Sequence, residues 1–221
     1  MLDRGVLDPG RGVPDERSAS IQRMIRPPAR RDLYGEGFGT VCGQLAEAVR
    51  DYGPDLVVGI ETGGARVAEA MLATMGDPAY LSVRIQRPAT KVKSSLRIGR
   101  LVSRLPRPLA DGLRWAEVEL RETSLRSRRP SVESTAQQLL GTTGLQHAAE
   151  KAQRILVVDD TIDSGRTLLT VRRAVELASP RAEIRTAVLA STWRRPPVRP
   201  DYCLFGRTLL RMPWSFDAQA S

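Results

Sequence analysis

The sequence is short of the two residue types that most often build metal and redox centres, and it lacks a third type altogether. It has one histidine, two cysteines and no asparagine. With His147 alone, a histidine-built metal centre is excluded and little material is left for a Ser-His-Asp triad. Cys42 and Cys203 are far from any C-x-x-C spacing, so they are read as two reduced thiols of a cytoplasmic protein. No apolar run approaches the roughly 18–20 residues that span a bilayer, so no membrane partner is expected. The N-terminus, MLDRGVLDPGRGVPDERS, lacks an apolar h-region, and no secretory leader is expected there. Lysine is scarce as well. Lys91, Lys93 and Lys151 are the only ones, so the net charge of +9 is carried almost wholly by arginine. That charge calls for an anionic partner. Nucleic acid and a polyphosphate substrate would each satisfy it, and composition does not separate them. Gly35-x-Gly37-x-Gly39 follows no strand, and no GxxxxGK[ST] occurs, so neither common nucleotide fingerprint is present.

What is present is an alternation of strands and helices in a chain of 221 residues, 41% hydrophobic, enough for one α/β domain and an appendage. Residues 1–30, rich in Gly, Pro and Arg, are expected to form a flexible basic arm, and residues 31–221 a single domain. Val41, Leu45, Ala48 and Val49 carry helical spacing over residues 38–52, closed by Gly53-Pro54. Leu56–Ile60 is wholly apolar, as in a parallel strand covered on both faces. A helix over 67–75 and a strand over 80–85 follow, implying a right-handed crossover. Residues 86–97 are basic and serine-rich. An insertion over about 96–150 contains helical spacing at 96–105 and 109–120, a charged linker at 121–130, and one or two helices over 134–152 broken near Gly141. The α/β pattern then resumes with a strand over 155–158, a helix over Arg166–Ala178, a strand over 184–189, and short strands near 202–205 and 208–210.

The segment RILVVDDTIDSGRTL, residues 154–168, carries the chemistry. An apolar strand ends in Asp159 and Asp160, and after a tight turn Ser164-Gly165 opens a helix. Open α/β sheets bind ligands at the carboxyl ends of strands. Helix-start amides from Asp163 to Thr167 would form a cradle for phosphate, with Gly165 allowing close backbone approach. Ser164 and Thr167 add hydroxyl donors and Arg166 a charged one. Asp159 and Asp160 suit the vicinal hydroxyls of a ribose and could support Mg²⁺ through water. One such junction could be a capped turn, but the whole run from Val157 to Leu168 fits a single purpose.

At these residues the sequence resembles the type I phosphoribosyltransferase family, nearest to its bacterial purine-specific members. The family's motif for 5-phosphoribosyl-1-pyrophosphate (PRPP) is an apolar strand, two acids, a spacer, then Asp-Ser/Thr-Gly-x-Thr. The resemblance implies that Asp159 and Asp160 hold the ribose 2′- and 3′-hydroxyls. It implies that Thr161, Ile162, Asp163, Ser164, Gly165, Arg166 and Thr167 line the PRPP site, those from Asp163 onward around the 5′-phosphate. Asp163 is the candidate proton acceptor beside the base. Glu61, Thr62, Gly63 and Gly64, at the end of the first core strand, correspond to the pyrophosphate loop. Arg84, Lys91 and Lys93 are candidate pyrophosphate contacts in a mobile loop that closes over the site. The C-terminal stretch from Pro200 to Gly206, then Thr208 to Trp214 with its Pro-Trp, is similar to the hood of bacterial purine phosphoribosyltransferases. Thr192, Trp193, Leu209, Leu210 and Trp214 are its candidate base-binding residues, within a hood spanning about 191–216. Two departures stand out: no lysine follows the strand before the hood, and Leu209 occupies the usual aromatic stacking position.

The expected fold is therefore a parallel sheet flanked by helices, with a small C-terminal hood and a helical insertion. The expected activity is Mg²⁺-dependent transfer of the 5-phosphoribosyl group from PRPP to a nitrogen of a purine-like base, with release of pyrophosphate. The acceptor is open between an ordinary purine and a modified purine or deazapurine. A homodimer is expected, and nucleic acid is not. The alternative is a PRPP- or nucleotide-sensing regulator that binds nucleic acid and does no chemistry.

Overall fold

The computed structural model describes residues 29–85, 132–142, 144–193 and 196–214. Residues 1–28 of the expected 1–30 arm, the helical segments at 96–105 and 109–120, the charged linker at 121–130, and Lys91 and Lys93 fall outside the described residues. In chain order the elements are β1 (Ala29–Asp32), α1 (Glu36–Ala48), a 3₁₀ turn (Arg50–Tyr52), β2 (Leu56–Ile60), α2 (Gly63–Leu72) and β3 (Ala79–Val83). They continue with α3 (Val132–Thr142), α4 (Leu145–Ala149), β4 (Arg154–Ile162), α5 (Arg166–Ala178), β5 (Glu183–Ser191), β6 (Tyr202–Gly206) and β7 (Thr208–Arg211).

Five strands form one parallel sheet in the order β3-β2-β4-β5-β6. β2 is apolar throughout, and residues 155–158 of β4 and 187–190 of β5 are apolar too, because both faces are covered there. Val57, Leu156, Val158, Ala187 and Leu189 meet α1 and α2 through Val41, Leu45, Val67 and Met71. Val58, Ile155, Val157 and Val188 meet α3, α4 and α5 through Leu139, Leu145, Leu168, Val171 and Val175. The strand alternation sorts each β4 residue onto one layer or the other. Tyr52 closes the first layer, its hydroxyl donating toward the carbonyls of Ile155 and Glu183 at 3.1 and 2.6 Å.

The strand order places the functional end. From β2 the chain steps outward to β3, then returns across β2 to β4. The connections diverge at the carboxyl ends of β2 and β4, which opens a crevice there.

Several boundaries differ from the sequence expectation. The strand expected to stop at Val158 continues to Ile162, so Asp159 and Asp160 lie within β4. It continues because β5 runs on beside it, pairing Thr161 with Ala190 and Ile162 with Ser191. The helix expected from Val67 begins at Gly63, so the double glycine is its first turn. β3 ends at Val83, two residues before the expected Ile85. Ala29 and Arg30, expected in the arm, open β1, which pairs parallel with β7 from Ala29 and Thr208 to Asp32 and Arg211. The N-terminal segment thus supplies half of the two-stranded hood. The 134–152 expectation resolves into α3 and α4, separated at Gly144.

Candidate active site

The crevice is closed by backbone meeting backbone. A Cβ on Gly64 would lie 2.5 Å from the Val158 carbonyl oxygen and 2.6 Å from the Asp159 Cα. One on Gly63 would lie 1.9 Å from Asp160 Oδ2. Only glycine lets the β2–α2 turn rest on the acidic end of β4, so two sequence features far apart in the chain form one surface. The Glu61–Thr62 peptide in this turn is cis.

The two acids are held differently. Asp159 is buried, and its Oδ1 accepts the Asp160 N–H at 2.9 Å. Asp160 Oδ1 accepts the Thr161 N–H at 2.7 Å. Burial pushes the Asp160 carboxyl above the ordinary carboxylate range, opposed by hydrogen bonds from the Thr161 amide, from Asp159 and from the Trp214 indole. Trp214 is fixed in turn by Phe38, ring edge to face at 5.3 Å, and by the Arg66 guanidinium 5.0 Å above its ring. Trp214, expected to contact base, is thus a neighbour of Asp160.

Past β4, Gly165 adopts φ +71°, and a Cβ there would lie 2.7 Å from the Val198 side chain. Conformation and space both require glycine at this turn. Gly165 leads into α5, whose first-turn amides have no intrahelical acceptor and carry the positive end of the macrodipole. The Arg166 N–H reaches Ser164 Oγ at 3.4 Å. Ser164, Arg166 and Thr167 are half-buried around this turn. The sequence analysis expects a phosphate cradle at this turn, and the turn leads directly into the first amides of α5.

Asp163 is exposed at the rim, and its carboxylate accepts a hydrogen bond from the Thr192 hydroxyl. Thr192 is itself anchored to the Ile162 carbonyl, by its N–H at 2.9 Å and with Oγ1 3.2 Å away. That anchor extends the β4–β5 ladder by one step and explains why Thr192 lies beside Asp163. Trp193 is 3% exposed, and its Nε1 has no partner among the described residues. It lines a cavity of about 410 Å³ with Ser191, Pro196, Arg199 and Cys203. In the hood, Leu210 packs on the α1–α2 side of the core, while half-buried Leu209 points to the opposite face of β7.

At the β2–α2 turn, Glu61 accepts from Ser82 Oγ at 3.3 Å and forms an ion pair with Arg84, whose Nε lies 2.9 Å away. Thr62 is exposed beside it. Of the sequence candidates, the structure therefore brings together residues 61–64, Arg84 and residues 159–167, with Thr192 and Trp214 joined to them. Ser82, Phe38 and Val198 were not anticipated. They support the site through packing and single hydrogen bonds, which leave no spacing signature.

The Phosphoribosyl transferase domain model matches residues 35–219. The chain belongs to this family. Its solved structural relatives include a purine phosphoribosyltransferase from Pyrococcus horikoshii Ot3, 20% identical, with a TM-score of 0.50, covering 84% of this chain and 93% of that one. A Helicobacter pylori xanthine-guanine-hypoxanthine phosphoribosyltransferase is 14% identical, with a TM-score of 0.48, covering 86% and 97%. Comparison with curated proteins returned no match. At such identity the likeness is one of fold, and it agrees with the parallel sheet of this phosphoribosyltransferase domain. No helix among the described residues is long and apolar enough to cross a membrane.

Proposed function

We propose that this phosphoribosyltransferase domain transfers the 5-phosphoribosyl group of PRPP to a ring nitrogen of a purine-like base, releasing pyrophosphate. One observation carries the reading: the Gly63-Gly64 turn rests directly on the Asp159–Asp160 end of β4, beside the amide cradle at the start of α5. A donor that is phosphate, ribose and pyrophosphate in sequence needs those three surfaces side by side.

In this reading residues 163–167 hold the 5′-phosphate through backbone amides and hydroxyls. Asp159 and Asp160 accept from the ribose hydroxyls, and Glu61, Thr62, Gly63, Gly64 and Arg84 form the pyrophosphate side, with Lys91 and Lys93 added from outside the described residues. Thr192, Trp193, Leu209, Leu210 and Trp214 border the acceptor, whose purine-like nature rests on the Pro-Trp hood pattern and on Asp163. The transition state is oxocarbenium-like, so rate comes from orientation and from stabilising the departing anion. Asp163, held by Thr192, accepts the proton released by the base. The donor set also fits Mg²⁺. Two adjacent carboxylates are hard oxygen ligands but too few to enclose the ion by themselves. That suits an ion held mainly by substrate and water, with Asp159 and Asp160 supporting it through water. When bound it would neutralise pyrophosphate charge. A homodimer in the cytoplasm completes the proposal, and light scattering checks the assembly.

The test is incubation with PRPP, MgCl₂ and a panel of purines, deazapurines and pyrimidines, measuring pyrophosphate release. Release that depends on one class of base, and that is lost in Asp159→Asn/Asp160→Asn, is expected. PRPP binding without release for any base would instead favour a sensing role, and no PRPP binding would sink the site assignment.

A further inference from the structure

Glu61 is an unexpected group in a pocket for pyrophosphate. A carboxylate and a pyrophosphate are both anions and both acceptors, so neither can donate to the other. Placed in direct contact they repel. Yet Glu61 is firmly built into the turn. Its N–H donates to the Val83 carbonyl at 2.9 Å, carrying the β2–β3 ladder one residue past Ile60. Each carboxylate oxygen has its own neighbour, Ser82 Oγ donating at 3.3 Å to Oε1 and the Arg84 guanidinium in an ion pair, its Nε 2.9 Å from Oε2. The Glu61 side chain is 30% exposed, whereas that of Arg84 is 75% exposed. The Arg84 guanidinium approaches Glu61 by its Nε, and most of the side chain stands in the open. Two residues further along the turn, Gly63 touches Asp160. Glu61 and Arg84 therefore close the β3 side of the turn whose other side is the ribose-facing acid.

We propose that Glu61 is a positioning residue, holding Arg84 by its Nε so that the other end of the guanidinium meets the departing pyrophosphate, while Glu61 touches no phosphate oxygen. Arginine suits this division because its planar fork can give one edge to a carboxylate and another to a phosphate. Ser82 occupies the second carboxylate oxygen and fixes the plane of the pair. The inference rests on the β2–α2 turn being the pyrophosphate side of a PRPP site.

The test is calorimetric titration of the full chain with inorganic pyrophosphate and MgCl₂, comparing wild type, Glu61→Ala, Glu61→Gln, Arg84→Ala and the Glu61→Ala/Arg84→Ala double variant. No acceptor base is needed. Removing Arg84 should weaken binding about tenfold, the scale of one charge-assisted contact. Glu61→Ala should weaken it by a similar factor, and Glu61→Gln, which keeps an acceptor without the charge, by less. The double variant should bind no worse than Arg84→Ala, because both changes remove one contact. Tighter binding by either Glu61 variant would overturn the proposal, since Glu61 would then act as a repelling charge. Multiplying losses would overturn it too, as would a lowered melting temperature with unchanged pyrophosphate affinity. If Glu61→Ala does not fold, Glu61→Gln and Arg84→Ala complete the cycle. A wild-type protein that binds neither pyrophosphate nor PRPP would remove the loop assignment itself. Normal wild-type binding with indifferent variants would remove only the role of Glu61.

Discussion

The same substitution, glycine to alanine, should have opposite effects at two ends of one helix layer. At Gly64 the added Cβ would lie 2.5 Å from Val158 O and 2.6 Å from Asp159 Cα, where ordinary contact begins at 3.4 Å. Both neighbours are backbone of the central strand, so no side chain can swing aside. The turn and β4 must separate by roughly an ångström, which places the effect near the upper end of overpacking, about 3 kcal/mol. For a domain of this size that is a melting temperature lower by about 6–12 °C. The separation also pulls the turn off Asp159, so PRPP affinity should fall more than about tenfold, as expected when a binding constellation shifts by an ångström. Gly43, inside α1, is the control. A Cβ there meets nothing within 4 Å, because it faces an open groove of about 630 Å³ at the end of the sheet remote from the site. Gly43→Ala should therefore gain about 0.5–1 kcal/mol from helix propensity and leave PRPP binding unchanged. Thermal unfolding by circular dichroism and calorimetric PRPP titration measure both. If Gly64→Ala melts and binds like wild type, the turn does not rest on β4, and the argument for the site fails with it.

Three further outcomes follow from single contacts. Because burial raises the Asp160 carboxyl, folding favours its protonated form; that stability is fully present below the ordinary carboxylate pKa and is lost as pH rises through the raised value. Asp160→Asn should then melt higher than wild type at neutral pH and lose the advantage in acid, while PRPP binding fails; a lower melting point at neutral pH would contradict this. Thr192→Val removes the hydroxyl that holds Asp163, so kcat should fall about ten- to a hundredfold with little change in the KM for PRPP, and Thr192→Ser should recover most of it. Cys42, its thiol pushed up to about 12 by burial, should resist Ellman's reagent until the protein is denatured, while the exposed Cys203 reacts in the native state.

Much of this architecture was legible in particular residues. Leu56–Ile60 and Arg166–Ala178 have the predicted bounds because their burial patterns are written directly as an apolar run and as helical spacing. The acids of β4 were legible as a carboxylate pair but not as strand. A carboxylate pair reads as the end of an apolar run, and only the neighbouring β5 keeps the ladder going to Ile162. The double glycine was legible as a turn, but its reason, the carboxylate of Asp160 where a Cβ would be, exists only in three dimensions. β1 was illegible. Ala-Arg-Arg-Asp is mostly exposed and shows no alternation, and its partner lies near the other end of the chain. The contacts of Trp214 with Asp160, Phe38 and Arg66 were hidden for the same reason.

The pairing of β1 with β7 has a consequence for biogenesis. Ala29 leaves the ribosome long before Thr208, and a parallel pair between them cannot close until β7 has emerged. Contacts of such long sequence separation form slowly, and chains fold from the N-terminus as they emerge. The five-stranded sheet can order its central strands first, leaving Ala29–Asp32 waiting for its partner. A nascent chain not yet extended through β7, or one clipped before Thr208, would hold its acids and the α5 turn yet leave Ala29–Asp32 without its partner, so a cut near residue 208 should be felt nearly 180 residues away.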